Sequence, residues 1–130
     1  MNTEPASWRD LPNAPADGTA ICTESELRDG ECRLLQVGPA EGSFELLIMR
    51  SGDNWRAYAN RCPHFGVGLA QRQEHLIYEA GVSLTCNVHY ARFRWQDGHC
   101  ERGDCAGDAL LAIPVECRNG WVVIEAVRSA

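Results

Sequence analysis

The stretch Cys62-Pro63-His64 and its counterpart Cys86-Asn87-Val88-His89 decide how this 130-residue chain is organised. Each stretch offers one thiol and one imidazole, close enough together to be presented by a single tight loop. Thiolates suit zinc or an iron–sulfur cluster, whereas imidazole suits zinc, copper or iron. We therefore expect a metal site on two loops, with Cys62, His64, Cys86 and His89 as its ligands.

This donor set leaves two metal centres open. One is a closed tetrahedral zinc, which would make the protein a zinc-stabilised module without redox activity. The other is a 2Fe-2S cluster in which two histidines replace two cysteines on one iron. A buried thiol beside a hydrogen-bonded imidazole explains one such pair, but two pairs in one chain favour a metal. Structural zinc sites mostly use other spacings, in chains too small to fold unaided, which favours the cluster.

The sequence around these pairs resembles the Rieske-type ferredoxins. The resemblance rests on both pairs, on Gly66, and on the segment 90–98, and it extends from about Thr19 to Val127. It implies one Rieske-type 2Fe-2S cluster, with Cys62 and Cys86 on the shielded iron and His64 and His89 on the iron nearer to solvent.

The rest of the chain predicts an all-β protein, because short apolar runs alternate with turns rich in Gly, Pro, Asn and Asp. We predict strands at 19–22, 34–37, 44–49, 55–59, 76–78, 83–85, 92–95, 111–115 and 121–127. Together with the resemblance, this pattern predicts one Rieske-like domain of antiparallel sheets over residues 1–130. A small cluster-binding lobe at about 60–106 would stand on a larger β base, and residues 1–18 would form an N-terminal arm.

Several side chains outside the ligand pairs have simpler interpretations. We expect Trp55, Trp95 and Trp121 to pack in the core, and His75 and His99 to lie on the surface. Cys100 and Cys105 flank a predicted turn at 101–104 that would allow a bridge on oxidation, but we expect buried or idle thiols there rather than a bridge. Trp8 and Leu11 give the arm apolar groups with which to pack.

Composition limits the partners and the compartment. The formal net charge is -6 and all twelve basic residues are arginine, which argues against nucleic acid and membrane surfaces as partners. No apolar run approaches the length that crosses a bilayer, and residues 1–10 do not resemble a secretory signal. We expect a soluble, cytoplasmic protein whose seven cysteines are metal ligands and spare thiols, because the cytosol keeps thiols reduced.

The resemblance also predicts the reduction potential. In the high-potential Rieske proteins of respiratory chains, a serine and a tyrosine after the second histidine donate hydrogen bonds to cluster sulfurs; here Ala91 and Phe93 occupy those positions. Val67 and Val88 occupy the positions of a disulfide that those proteins carry between the loops. Without these donors we expect a potential near the low end of the Rieske range, about −150 mV rather than about +300 mV.

The expected function is electron transfer, not catalysis. The resemblance implies a carrier that takes single electrons from a flavin-dependent reductase to a terminal oxygenase or a similar acceptor. The alternative within redox proteins is a fixed electron-relay subunit of a larger, nitrite-reductase-like enzyme. The segment between His64 and Cys86 is longer than an oxygenase ferredoxin requires, and we expect the surplus, around residues 71–81, to form a loop or hairpin beside the cluster.

Overall fold

The computed structural model describes residues 7–39, 42–62, 68–87, 90–103 and 107–125. In these ranges the chain forms strands and short 3-10 turns. The strands are β1 (Ala20–Thr23), β2 (Cys32–Val37), β3 (Phe44–Ser51), β4 (Asn54–Ala59), β5 (Ile77–Glu79), β6 (Ser83–Thr85), β7 (Arg92–Arg94), β8 (Cys100–Arg102), β9 (Val115–Arg118) and β10 (Trp121–Ile124). The 3-10 turns are Trp8–Asp10, Glu24–Glu26 and Gln73–His75. The all-β prediction is confirmed.

The strands form antiparallel sheets. Strands β2, β3 and β4 make the central sheet in the order β2-β3-β4, and the chain ends contribute the terminal sheet in the order β1-β10-β9. The lobe sheet, β5-β6-β7-β8, follows the chain order as a simple meander. Every pairing among the described strands is antiparallel; short connections between successive strands account for this except for β1 and β10, which come from opposite ends of the chain.

Strand β3 lies between two cores because both of its faces are apolar. Phe44, Leu46 and Ile48 pack with residues of the terminal sheet, including Val122 and Ile124. Leu47 and Met49, the residues between them, pack instead with the residues beneath the lobe. Successive side chains of a strand point to opposite faces, so a continuous apolar run is buried only when both faces are covered.

The N-terminal segment packs on the first of these cores. Trp8 begins a 3-10 turn that the Ser7 hydroxyl caps by accepting a hydrogen bond from the Arg9 N–H. Its indole is only 2% exposed and meets the Phe44 ring edge-on, with 6.2 Å between ring centroids. The apolar character of Trp8 therefore decides where this segment lies.

The core beneath the lobe joins the central sheet to the lobe sheet. Leu84 and Phe93, which pair across β6 and β7, are both buried there. The Tyr58 hydroxyl donates to the Trp95 carbonyl over 2.9 Å, and burial raises the pKa of Tyr58 to about 12. The phenol therefore stays protonated and can keep this bond at neutral pH.

Two strand predictions are wrong. Residues 101 and 102, expected in a turn, lie in β8, where Cys100 pairs with Phe93 and its side chain is buried. The predicted strand at 111–115 is also misplaced, since β9 begins only at Val115. The preceding residues hydrogen-bond to β4, where the Ile113 N–H donates to the Ala57 carbonyl, and the chain changes sheets at Pro114.

The tryptophan and histidine predictions have mixed outcomes. Trp55 and Trp95 are buried as expected, whereas Trp121 is 49% exposed. The strand alternation explains Trp121, because its neighbour Val122 takes the inward face. His75 and His99 are exposed, as predicted.

No helix among the described residues has the length and apolar character needed to cross a bilayer.

Candidate metal centre

The structure brings Cys62 and Cys86 into one buried cluster. Cys62 follows β4 after two residues, and Cys86 follows β6 directly. Both side chains are 0% exposed and share the core beneath the lobe with Leu69, Phe93 and other apolar groups. Thiols in such a place are shielded from water and from oxidants.

The histidines of the two pairs lie outside the described residues. His64 falls in the range 63–67 and His89 in the range 88–89, so their assignment as ligands stays a prediction. Val67 and Val88 also lie outside the described residues, as does Cys105, so the expectation for Cys100 and Cys105 stays a prediction.

The second ligand loop is held by main-chain hydrogen bonds. The Cys86 N–H donates to the Ala91 carbonyl, and the Tyr90 N–H donates to the Cys86 carbonyl, each over 2.9 Å. The loop is thus the turn of the hairpin formed by β6 and β7. Tyr90 has φ 60°, in the left-handed region, although it is not a glycine.

The first ligand loop, which runs from Cys62 to Leu69, is held at its described ends by the side chain of Asn60. The Asn60 Oδ1 accepts from the Leu69 N–H over 2.7 Å, and the Asn60 Nδ2 donates to the Ala70 carbonyl over 2.8 Å. The two loops also join, because the Asn87 N–H donates to the Leu69 carbonyl over 2.9 Å. Asn60 has no partner motif in the sequence that would predict this role; the available signal is that asparagine commonly bonds to nearby main chain where a strand ends.

Comparison with known proteins identifies the family. The family model described as the Rieske [2Fe-2S] domain matches residues 18–117. This chain belongs to the Rieske domain family. The ferredoxin component of the alkene monooxygenase system of Xanthobacter autotrophicus (strain ATCC BAA-1158 / Py2) is 31% identical over 116 residues, and the match covers 87% of each chain. The predicted membership of the Rieske-type ferredoxins is confirmed.

Solved structures share the fold. The ferredoxin of carbazole 1,9a-dioxygenase from Nocardioides aromaticivorans IC177 matches 85% of this chain and 98% of its own, with 18% identity and a TM-score of 0.64. The terminal oxygenase of carbazole 1,9a-dioxygenase from Novosphingobium sp. KA1 matches 88% of this chain, with 20% identity and a TM-score of 0.68. This chain spans only 31% of that oxygenase chain. These likenesses concern the fold alone.

The donor set of this Rieske domain fits a 2Fe-2S cluster. Cys62 and Cys86 would supply the soft thiolate ligands that such clusters prefer, and they lie on loops that hydrogen-bond to each other. Around them Ala91 is 2% and Phe93 0% exposed, and neither side chain has a hydrogen-bond donor. The thiols therefore lie in a dry and apolar part of the domain.

The remaining described cysteines of the Rieske domain are not arranged as ligands. Burial raises the pKa of Cys22 to about 11 and that of Cys32 to about 12, and neither thiol belongs to a group of three or more described side chains that could hold a metal. Cys117 is exposed and contacts Glu24 Oε2 over 3.3 Å, which together with desolvation raises its pKa. The Cys100 thiol contacts the Arg102 carbonyl over 3.3 Å.

An apolar surface lies beside the second ligand loop. Tyr90 is 65% exposed and Ile77, on β5, is 42% exposed. With Arg92 and Arg102 they line a cleft of about 350 Å³. The expected surplus between the ligand pairs thus forms the Gln73–His75 turn and β5, the outer strand of the lobe sheet.

Proposed function

We propose that this protein is a Rieske ferredoxin that binds one 2Fe-2S cluster through Cys62, His64, Cys86 and His89 and carries single electrons. The observation that carries the proposal is the burial of both thiols in one apolar cluster, on two loops joined by the bond between Asn87 and Leu69. The match to the Rieske domain family over residues 18–117 supports the two histidines, His64 and His89, as the other ligands by analogy. The protein is an electron-transfer component and not an enzyme.

The surroundings of the two thiols suit a cluster of low potential. When bound, the cluster takes up and gives back one electron. Hydrogen bonds to its sulfurs would favour the reduced state, which carries more negative charge. Ala91 and Phe93 are buried in the same core as the thiols and offer no such bonds, so we propose a potential near the low end of the Rieske range.

We propose a flavin-dependent reductase as the electron donor and a terminal oxygenase as the acceptor. The relative from Xanthobacter autotrophicus is the ferredoxin component of an alkene monooxygenase system, which supports an oxygenase partner. The exposed ring of Tyr90 follows the second ligand pair directly and offers apolar contact area beside it. Weak electron-transfer encounters need only a small interface, so a few such groups suffice.

We also propose that the chain works as one domain in the cytoplasm. Alternate residues of β3 join the two cores, which favours a single cooperative unit. Cys22 and Cys32 are buried free thiols, a state that a reducing compartment maintains.

A redox titration tests the cluster. Protein purified without oxygen is analysed for iron, sulfide and zinc, then reduced stepwise and followed by electron paramagnetic resonance. We expect two irons per chain and a Rieske-type signal that appears at low potential. Colourless protein with equimolar zinc would instead establish a zinc-stabilised module, and would overturn the proposal.

A second experiment tests the role as a mobile carrier. The reduced protein is mixed with a candidate reductase and oxygenase, and oxygenase turnover is measured against ferredoxin concentration. Saturable dependence on free ferredoxin supports the proposal. Copurification in a fixed ratio with a large enzyme, with no exchange of the bound chain, would support the relay subunit instead.

A further inference from the structure

We propose that Asn60 is a positioning residue that closes the first ligand loop and fixes its place relative to the second one. The inference rests on the proposed cluster, and it concerns a residue outside the four expected ligands. Asn60 lies two residues before Cys62 and directly after β4, at the point where the loop leaves the central sheet.

The Asn60 side chain bonds to the far end of the loop with both halves of its amide. Its Oδ1 accepts from the Leu69 N–H over 2.7 Å and from the Ala70 N–H over 3.4 Å. Its Nδ2 donates to the Ala70 carbonyl over 2.8 Å. Leu69 and Ala70 are each 1% exposed, so water could replace these bonds only if the loop opened. No strand pairs with residues 68–76 in the described part of the chain, and the amide takes the place of a strand partner.

The same side chain is fixed to the base. The Asn60 main-chain N–H donates to the Glu45 carbonyl on β3 over 3.1 Å, and the Asn60 Nδ2 lies 3.3 Å from Glu45 Oε1. Asn60 therefore connects both ends of the loop to the central sheet by hydrogen bonds.

From Leu69 the hydrogen bonds continue to the second loop. The Leu69 carbonyl accepts from the Asn87 N–H over 2.9 Å, and the Asn87 Nδ2 donates to Gln71 Oε1 over 2.9 Å. Asn87 is the neighbour of Cys86. The path from Asn60 through Leu69 to Asn87 thus connects a residue two positions before Cys62 to the residue directly after Cys86, and we infer that it sets the distance between the loops.

Gly68 leaves the space that the Asn60 amide needs. A Cβ at this position would lie 2.9 Å from Asn60 Nδ2 and 3.2 Å from Asn60 Cγ, closer than side chains tolerate. The Ala70 carbonyl oxygen would lie 3.3 Å from the same Cβ, but the shortest contact is with the Asn60 amide, so the two positions are coupled. A methyl group at position 68 should disturb the loop while Asn60 is present, and should matter less when position 60 is small.

The test compares holo protein carrying Asn60→Ala, Asn60→Ser, Gly68→Ala or Asn60→Ala with Gly68→Ala. Asp29→Ala is the matched control, because Asp29 Oδ1 accepts from the Gly52 N–H over 2.7 Å and so joins two loops in the base. Each protein is assayed for its paramagnetic resonance spectrum, its midpoint potential, the rate of iron release to a chelator, and its thermal midpoint.

We expect Asn60→Ala to release iron about 10- to 100-fold faster and to shift the spectrum and the midpoint potential. Asn60→Ser, whose hydroxyl retains an acceptor, should lie between Asn60→Ala and the wild type. Asp29→Ala should lower the thermal midpoint and leave the spectrum and the potential unchanged. Gly68→Ala should accelerate release in the wild type and have less effect in the Asn60→Ala background.

An Asn60→Ala protein with wild-type spectrum, potential and release rate would overturn the inference and leave the proposed function intact. Equal spectral shifts in Asp29→Ala would overturn it as well, because the effect would then be general destabilisation. If Asn60→Ala does not fold, Asn60→Ser and Gly68→Ala decide by the same readouts. A wild-type protein without a Rieske signal would overturn the proposed function and this role together.

Discussion

The two ligand loops place their cysteines in one core by different means. Cys86 sits at a hairpin turn whose shape follows from the main-chain bonds between Cys86, Tyr90 and Ala91. Cys62 begins a longer loop that depends on the side chain of Asn60. A turn bonded through its main chain survives most substitutions, whereas a loop bonded through one amide can be opened by one. Two ligands of the same residue type can therefore lie on loops that differ in their sensitivity to substitution.

Loss of either thiol should have the largest effect on cluster binding. The effect should be the same for both loops, although the loops are held differently. We expect Cys62→Ser and Cys86→Ser each to lose the cluster, because both thiols are 0% exposed in one core and iron–sulfur clusters prefer soft thiolate ligands. Iron content and visible absorbance measure this outcome. Cys117→Ser is the control, since Cys117 is exposed and lies outside the core. Full iron content in either ligand variant would remove that cysteine from the site.

Gln73→Ala should test how the segment after the first loop is anchored. The Gln73 Oε1 accepts from the Leu34 N–H over 2.7 Å, and the Gln73 Nε2 donates to the Cys32 carbonyl over 3.0 Å. The side chain thus covers the open edge of β2. Losing two such bonds should cost about 2 kcal/mol of unfolding free energy, measured by denaturant titration.

Gln36→Ala is the control for Gln73→Ala. Gln36 is exposed on the same strand, and its side chain bonds only to Glu45 Oε2 among the described groups. We expect a change within about 0.5 kcal/mol. Equal costs in the two variants would show that the edge of β2 does not need the Gln73 amide.

Tyr90 tests the second loop through its main chain. A left-handed conformation costs an ordinary residue about 1 kcal/mol, and asparagine tolerates it better. The Tyr90 ring is 65% exposed and adds little packing. We expect the thermal midpoints to fall in the order Asn, Tyr, Val at position 90. A valine variant as stable as the wild type would mean that the turn changes its conformation at no cost, and that the left-handed conformation at position 90 does not limit its stability.

Ala91→Ser combined with Phe93→Tyr should raise the midpoint potential. A new hydrogen bond of about 1 kcal/mol to a cluster sulfur corresponds to roughly 40 mV for a one-electron couple. Ala57→Ser is the control, because Ala57 is a buried alanine of the other core. An unchanged potential in the double variant would refute the explanation based on missing donors.

A pH dependence of stability is also expected from the buried thiol of Cys32. Burial raises the pKa of Cys32 from 9.0 to about 12. Below pH 9 the thiol is protonated in both states; above it the unfolded chain loses the proton first, so stability falls as the pH rises towards 12. Cys32→Ala should flatten this fall, as measured by denaturant titration at pH 8 and pH 10.5. An equally steep fall would assign it to other groups.

The sequence was sufficient for the fold class and for the membership of the Rieske-type ferredoxins, because the strand pattern and the spacing of the Cys and His pairs are local signals. It was insufficient where a segment's place depends on distant partners. Residues 101 and 102 resemble a turn but lie in β8, since the inward side chain of Cys100 pairs with Phe93. Trp121 looked like a core residue, yet the inward position belongs to Val122.

Asn60 shows the same limit in the site. An asparagine two residues before a cysteine forms no recognisable sequence motif. Its partners Leu69 and Ala70 are nine and ten residues away, and only the folded structure brings them together. Gln73 likewise bonds to β2, which lies far away in the chain. Side-chain to main-chain bonds over such separations leave no periodic pattern in the sequence.

Strand β3 has a consequence for how long the protein keeps its structure. Since alternate residues, such as Leu46 and Leu47, belong to different cores, its amide hydrogens can exchange with solvent only when both cores have separated. We expect the amides of β3 to be the slowest in hydrogen–deuterium exchange, at a rate that reports global unfolding. The lifetime of the site would then be governed by packing in the terminal sheet, on the far side of β3 from the thiols.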